Sequence, residues 1–297
     1  MKSKRKLIQT AFVILTNSNF SGFLTGQVYS GGLKRLCAPG LNCYACPGAL
    51  GSCPIGAMQN SLGDPIYRFS FYATGFLALF GVLFGRMICG FLCPFGLIEE
   101  LLYMPAKHIK RRFPPAGALL EKNHLHPIFR YLKYAILLLF VILLPLFALD
   151  SFGFGIPWFC KYICPSGMVM GASPVLSAQP GLLSLTGWIF YVKLAVCALI
   201  ILFSMISHRF FCKYLCPLGA VYGLFNGISF YRMSVDTEKC VSCGECGKLC
   251  PMGVRPNESP NSAECIRCGS CVDKCPHNAL CASYRCYSSK PSTKTIN

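Results

Sequence analysis

Eight cysteines towards the C-terminal end stand in two runs of equal spacing. Cys240, Cys243, Cys246 and Cys250 precede Pro251, and Cys265, Cys268, Cys271 and Cys275 precede Pro276. Each run reads C-x2-C-x2-C-x3-C-P, a ligand spacing of [4Fe–4S] clusters. A cube needs one thiolate per iron corner, and three cysteines two residues apart reach three corners from one loop. The fourth ligand must come from elsewhere. In two-cluster proteins with this run, the fourth cysteine of each serves the other cluster. That assigns Cys240, Cys243, Cys246 and Cys275 to one cube, and Cys265, Cys268, Cys271 and Cys250 to the second. Zinc sites show paired C-x2-C hooks with a wide gap between pairs, and neither run has that form.

A second cysteine pattern occurs three times: Cys89-Gly-Phe-Leu-Cys93-Pro-Phe-Gly, Cys160-Lys-Tyr-Ile-Cys164-Pro-Ser-Gly and Cys212-Lys-Tyr-Leu-Cys216-Pro-Leu-Gly. Thiols four apart share one face of a helical turn, and the proline suits the first position of a following helix. Cys89, Cys93, Cys212 and Cys216 supply four thiolates, enough for one further cube beside the C-terminal runs. The Cys160 copy falls on the opposite side, with a loop carrying Cys37, Cys43, Cys46 and Cys53. These six cysteines offer four ligands with two to spare. Cys37, Cys43, Cys46 and Cys53 are the favoured set for another cluster, and disulfides are the competing reading if that side is oxidising. Cys281 and Cys286 have no spacing partner and read as spare thiols.

The elements that must position these cysteines are apolar. The chain has 297 residues, 54% hydrophobic and 13% charged, with a mean hydropathy of +0.49, which is a membrane composition. Segments near Phe69–Ile88, Tyr131–Leu149 and Trp188–Ser207 read as transmembrane helices. Leu7–Val28 is a weaker span, interrupted by Asn17, Ser18 and Asn19. The basic start leads into no small-residue cleavage site, so no cleavable signal peptide is expected. The formal charge is +17. Residues 234–281 carry five Lys/Arg against six Asp/Glu, and the remainder carries 23 basic and five acidic residues. Positive charge flanking apolar spans is the positive-inside pattern, and it attracts anionic lipid headgroups. A nucleic-acid partner would want a soluble basic face and is not expected. The expected architecture is an α-helical integral membrane protein of about four transmembrane helices over residues 1–230. A small α+β two-cluster ferredoxin domain follows over 231–281, then a disordered tail over 282–297. Lys2, Lys4, Arg5 and Lys6, and Lys107 to Lys133 after the Phe69 span, place both termini on the cytoplasmic side of a prokaryotic inner membrane. Lys34 and Arg35 run against that arrangement, and Lys193 either snorkels to the outer interface, the favoured reading, or faces a functional cavity.

With both cysteine systems in view, the chain resembles the NapH/NosR-type membrane polyferredoxins over roughly Gly26–Leu280. The C-x3-C-P copies at Cys89 and Cys212 and the C-terminal runs carry the resemblance. It implies a membrane-bound iron–sulfur electron-transfer protein with several [4Fe–4S] clusters. Such a protein passes electrons between cytoplasmic donors, including ferredoxin-type ones, or the quinone pool and partner redox subunits, as in quinol dehydrogenase-type oxidoreductases. The alternatives are an accessory electron donor for maturing or reactivating a metalloenzyme, and a redox sensor. If a quinone binds, His108, His124, His126, Glu99 and Glu100 are the nearby candidates for handling its protons, though each alone reads more readily as solvated or headgroup-facing. No C-x-x-C-H haem motif is present.

Overall fold

A helical body precedes a small two-stranded unit. The computed structural model describes residues 2–64, 69–112 and 126–284, the side chains of residues 2–3, 106–112 and 126–127 excepted. The body is built from helices Lys2–Thr16, Phe20–Thr25, Pro54–Leu62, Phe71–Phe84, Met87–Phe91, Pro94–Arg112, Leu132–Phe147, Gly167–Ala178, Trp188–Ile206, Phe210–Tyr214 and Pro217–Phe225. In the C-terminal unit, β1 (Arg232–Val235) pairs antiparallel with β2 (Leu280–Ser283), Arg232 opposite Ser283 and Val235 opposite Leu280. Both four-cysteine runs loop out between these two strands.

The expectation of about four transmembrane helices is corrected. Among the described residues one helix, Trp188–Ile206, is long and apolar enough to cross a bilayer, with a mean hydropathy of 2.5. A span needs about 20 apolar residues, and the other segments break for local reasons. The first ends at Phe84, where Gly85 takes a φ of 56° and the Arg86 N–H donates to Asn226 Oδ1 at 2.8 Å. The Tyr131 segment gives Leu132–Phe147, with a π-helical stretch over Leu137–Leu143. The N-terminal segment splits at Asn17–Asn19. There Asn17 bonds back to Val13 O at 3.0 Å and Asn19 reaches Pro47 O at 2.8 Å.

Several of the charges in that pattern lie inside the protein. Arg5, Lys34, Lys133, Arg209 and Lys213 all count towards topology in the sequence, yet all are buried. Lys34, set against the expected orientation, donates to Ala49 O at 2.8 Å inside the protein. Cys281 is disulfide-bonded rather than spare. Cys286 lies outside the described residues, as does residue 285 onward of the tail, whereas β2 continues to Ser283.

One apolar core joins the two parts. It contains Cys53, Cys89, Cys93, Cys164, Cys212 and Cys216, and it takes in Met252, Val254 and Ile266 from the C-terminal unit. The unit is therefore docked through residues that follow Cys250 and Cys265.

Candidate metal centres

The two C-terminal runs repeat in backbone conformation as well as in sequence. Ser242 and Gly244 have φ of 53° and 75°, and Arg267 and Gly269, at the same offsets, have 51° and 75°. Such turns aim successive N–H groups into one concavity, which suits a sulfur-rich anion. One small pocket is lined by Cys240, Cys243, Cys246 and Cys275. A second is lined by Cys250, Cys265, Cys268 and Cys271. Each fourth cysteine thus lies with the other run, and the N–H of the residue four further on, Val254 or Ala279, donates to its sulfur at 3.4 Å. Cys243 is exposed at the surface, whereas Cys265 and Cys271 are buried.

Cys89, Cys93, Cys212 and Cys216 come together in the body, all buried. The Cys89 thiol donates to Cys212, and this bond, with Arg86 and Arg209 close by, holds Cys212 well below the ordinary thiol range despite its burial. Burial pushes the Cys93 thiol up to about 11. Ligation of iron by these four cysteines would require their thiolate forms.

The surround is reciprocal. Arg86 stands three residues before Cys89 and donates to Cys212 O at 2.7 Å. Arg209 stands three residues before Cys212 and donates to Cys89 O at 2.6 Å. The motif glycines follow from this crossing. A Cβ on Gly219 would lie 3.3 Å from Arg86 Nη2, and one on Gly96 3.4 Å from Arg209 Nη1. Each arginine has its own anion, Glu264 for Arg86 at 2.7 Å and Glu100 for Arg209 at 2.7 Å. Arg5 adds a second bond to Glu100 at 2.8 Å, and Gln9 donates to Cys93 O at 2.9 Å. The arginines lie upstream of the C-x3-C-P repeat, outside the pattern that its cysteines define. The readable signal was R-x2-C in two of the three copies.

The remaining cysteines divide differently from the favoured set. Cys43 and Cys53 line a cavity of about 400 Å³ together with Cys160 and Cys164. Cys37 and Cys46 are not among its lining residues. The Cys37 sulfur faces Ser52 Oγ at 3.9 Å, and the Cys46 thiol donates to Asn17 Oδ1 at 3.6 Å. Lys193 does not snorkel outwards; it lines the cavity and donates to Cys160 O at 2.8 Å. Among the described residues no three His, Cys, Asp or Glu side chains close in at single-ion spacing, and these four-cysteine sets stand wider apart.

Neither carboxylate considered for proton handling is free. Glu100 is held by Arg5 and Arg209. Burial opposes its ionisation, but these cations still bring it down to about 2. Glu99 accepts from the Phe211 N–H at 2.8 Å and from Ser204 Oγ at 3.3 Å, and burial pushes it up to about 8. His124 and the side chains of His108 and His126 lie outside the described residues.

The 4Fe-4S binding domain family matches residues 65–113, 133–174 and 187–232, one match for each C-x3-C-P copy. The 4Fe-4S dicluster domain family matches residues 232–276. An uncharacterized protein of Methanocaldococcus jannaschii is 30% identical over 60% of this chain and 63% of its own length. The ferredoxin-type protein NapH of Escherichia coli is 25% identical over 64% of this chain and 60% of its own. The methylamine utilization ferredoxin-type protein MauN of Paracoccus denitrificans is 36% identical over 27% of each chain. The chain thus spans less than two thirds of these relatives, and no solved structure matches it. Cluster-binding domains over both cysteine systems, with NapH among the relatives, show a [4Fe–4S] ferredoxin-type protein similar to the NapH-type polyferredoxins.

Proposed function

We propose that this protein transfers electrons at a membrane through [4Fe–4S] clusters held in four-cysteine cages. The observation that carries the reading is the contact between two such cages. Gly90, between Cys89 and Cys93, packs so closely on Ile266, between Cys265 and Cys268, that a Cβ there would lie 2.8 Å from Ile266 O. Cys240, Cys243, Cys246 and Cys275 would hold one cluster near the surface. Cys250, Cys265, Cys268 and Cys271 would hold a second against the body, and Cys89, Cys93, Cys212 and Cys216 a third inside it. The clusters supply one-electron storage. The chain excludes water around the third site by burying all four of its thiols. It offsets their charge with Arg86 and Arg209, and it locks both arginines with Glu264 and Glu100.

Attachment to a membrane is supported by Trp188–Ile206. Only 17% of its apolar window is buried, unlike the core helix of a soluble protein. Leu194, Leu199 and Leu202 are exposed on it. A donor reaches the exposed Cys243 end, and a quinone or partner redox protein meets the body. An accessory role towards another metalloenzyme uses the same cages with a different partner. Iron and acid-labile sulfide per chain test the reading. Purified protein should hold at least about twelve irons, at four per cube, and Cys212→Ser should remove about four. About eight irons, unchanged in Cys212→Ser, would exclude the third site.

A further inference from the structure

We infer that Cys43, Cys53, Cys160 and Cys164 hold a fourth [4Fe–4S] cluster, a ligand set that no spacing in the sequence announces. The inference rests on the reading that this chain holds clusters in four-cysteine cages. The four side chains line one cavity of about 400 Å³, many times the 10–15 Å³ that a single water requires. Cys53 lies within electrostatic reach of Cys164 and Cys43, and Cys160 within reach of all three others. All four are free thiols, so no disulfide competes for them.

The cage is assembled like the one at Cys89 and Cys212. Cys53-Pro54-Ile55-Gly56 is a half-copy of the repeated motif, reading C-P-x-G. Its cysteine is extended (φ −74°, ψ 129°), as are Cys164 (φ −67°, ψ 112°) and Cys216 (φ −75°, ψ 112°). In each case the proline leads the chain into helical geometry. The backbone of the motif glycine faces the sulfur in all four copies: Gly56, Gly96, Gly167 and Gly219. Each cage therefore combines two C-P-x-G turns, Cys93 with Cys216 in one and Cys53 with Cys164 in the other. Cys89, Cys212 and Cys160 each stand four residues before their turn. Ala49 occupies that position before Cys53, and Cys43 stands in for the missing ligand.

Charge supports the assignment. Lys193 comes from within the apolar helix Trp188–Ile206, where an inward ammonium group marks a functional cavity. It lies within electrostatic reach of Cys43, Cys160 and Cys164, the part that Arg86 and Arg209 play at the other cage. The two cages also share a wall. Leu41 lines the cavity while its backbone N–H faces the Cys93 sulfur. Tyr222, fully buried, stands within electrostatic reach of Cys89, Cys93 and Cys53.

The test uses full-length protein in detergent, with iron, sulfide and EPR of the dithionite-reduced form. About sixteen irons per chain are expected. Cys53→Ser and Cys164→Ser should each lose about four and keep the spectra of the C-terminal pair, while Cys37→Ser and Cys46→Ser keep the full content. Lys193→Met should lower one midpoint potential and leave the iron count unchanged, because a nearby cation favours the reduced, more negative cluster. Wild-type iron in both Cys53→Ser and Cys164→Ser overturns the proposal, and with about twelve irons in the parent it does so while sparing the third site. About eight irons, unaffected by Cys212→Ser, overturn both. If the serine variants do not accumulate, Lys193→Met decides: unchanged potentials for every cluster overturn the fourth site.

Discussion

Glu264 is the carboxylate shared by two buried cations, and neutralising it should loosen the C-terminal unit from the body. Its carboxylate pairs with Arg86 at 2.7 Å and also with Lys133. Arg86 and Lys133 are 0% exposed and Glu264 6%. Arg86 has other acceptors in Ala263 O and Cys212 O, but these are neutral. Glu264→Gln keeps the shape and removes the charge. Breaking a buried pair costs about 3–5 kcal/mol, because a desolvated charge is left uncompensated. At roughly 2–4 °C per kcal/mol for a chain of this order of size, the thermal midpoint should fall by about 6–20 °C. Melting followed by circular dichroism and by visible cluster absorbance in detergent would measure this. Adding Lys133→Met to Glu264→Gln should recover part of the loss, since the stranded ammonium is the source of the penalty. A Glu264→Gln midpoint within about 2 °C of the parent would refute the reasoning, as would a double variant less stable than either single one.

Other outcomes follow from the same geometry. Cys275→Ser should remove the cluster of the first C-terminal run and spare that of its own, seen as loss of one EPR signal; loss of the Cys265-run signal instead would disprove the crossed ligation. Glu99 should make stability depend on pH. Its pKa is raised by burial first and then by Cys212, so the folded protein keeps a proton that the unfolded chain gives up near 4.5. That stabilisation is complete below about 4.5 and is lost as pH rises through about 8. It is worth on the order of several kcal/mol at 1.36 kcal/mol per unit. Glu99→Gln should therefore gain on the parent in unfolding midpoint between pH 5 and pH 9, and parallel curves would count against a protonated Glu99.

The C-terminal runs show why some of this protein was legible without a fold. Their ligands lie within a few residues of each other, so spacing alone encodes three corners of each cube. The crossing of Cys250 and Cys275 follows from a two-fold repeat that is itself visible in the sequence. The Cys89/Cys212 pairing was also readable, because two full copies of one motif ended two apolar segments. The count of spans was not readable. Hydropathy cannot see that Asn226, far along the chain, receives the Arg86 N–H and ends one helix, or that Arg5, Lys133 and Arg209 are buried partners rather than loop charges.

The sequence by itself determined the chemistry: thiolates in sets of four, proline and glycine to shape their turns, and an apolar chain to shield them. Only the tertiary structure decided which distant thiols share a site. It lined one cavity with Cys43, Cys53, Cys160 and Cys164, leaving Cys37 and Cys46 out of that lining, and it turned Lys193 inward. A ligand set drawn from loops more than a hundred residues apart depends on how helices pack. That packing is a property of the whole apolar core and has no signature in the spacing of any one segment.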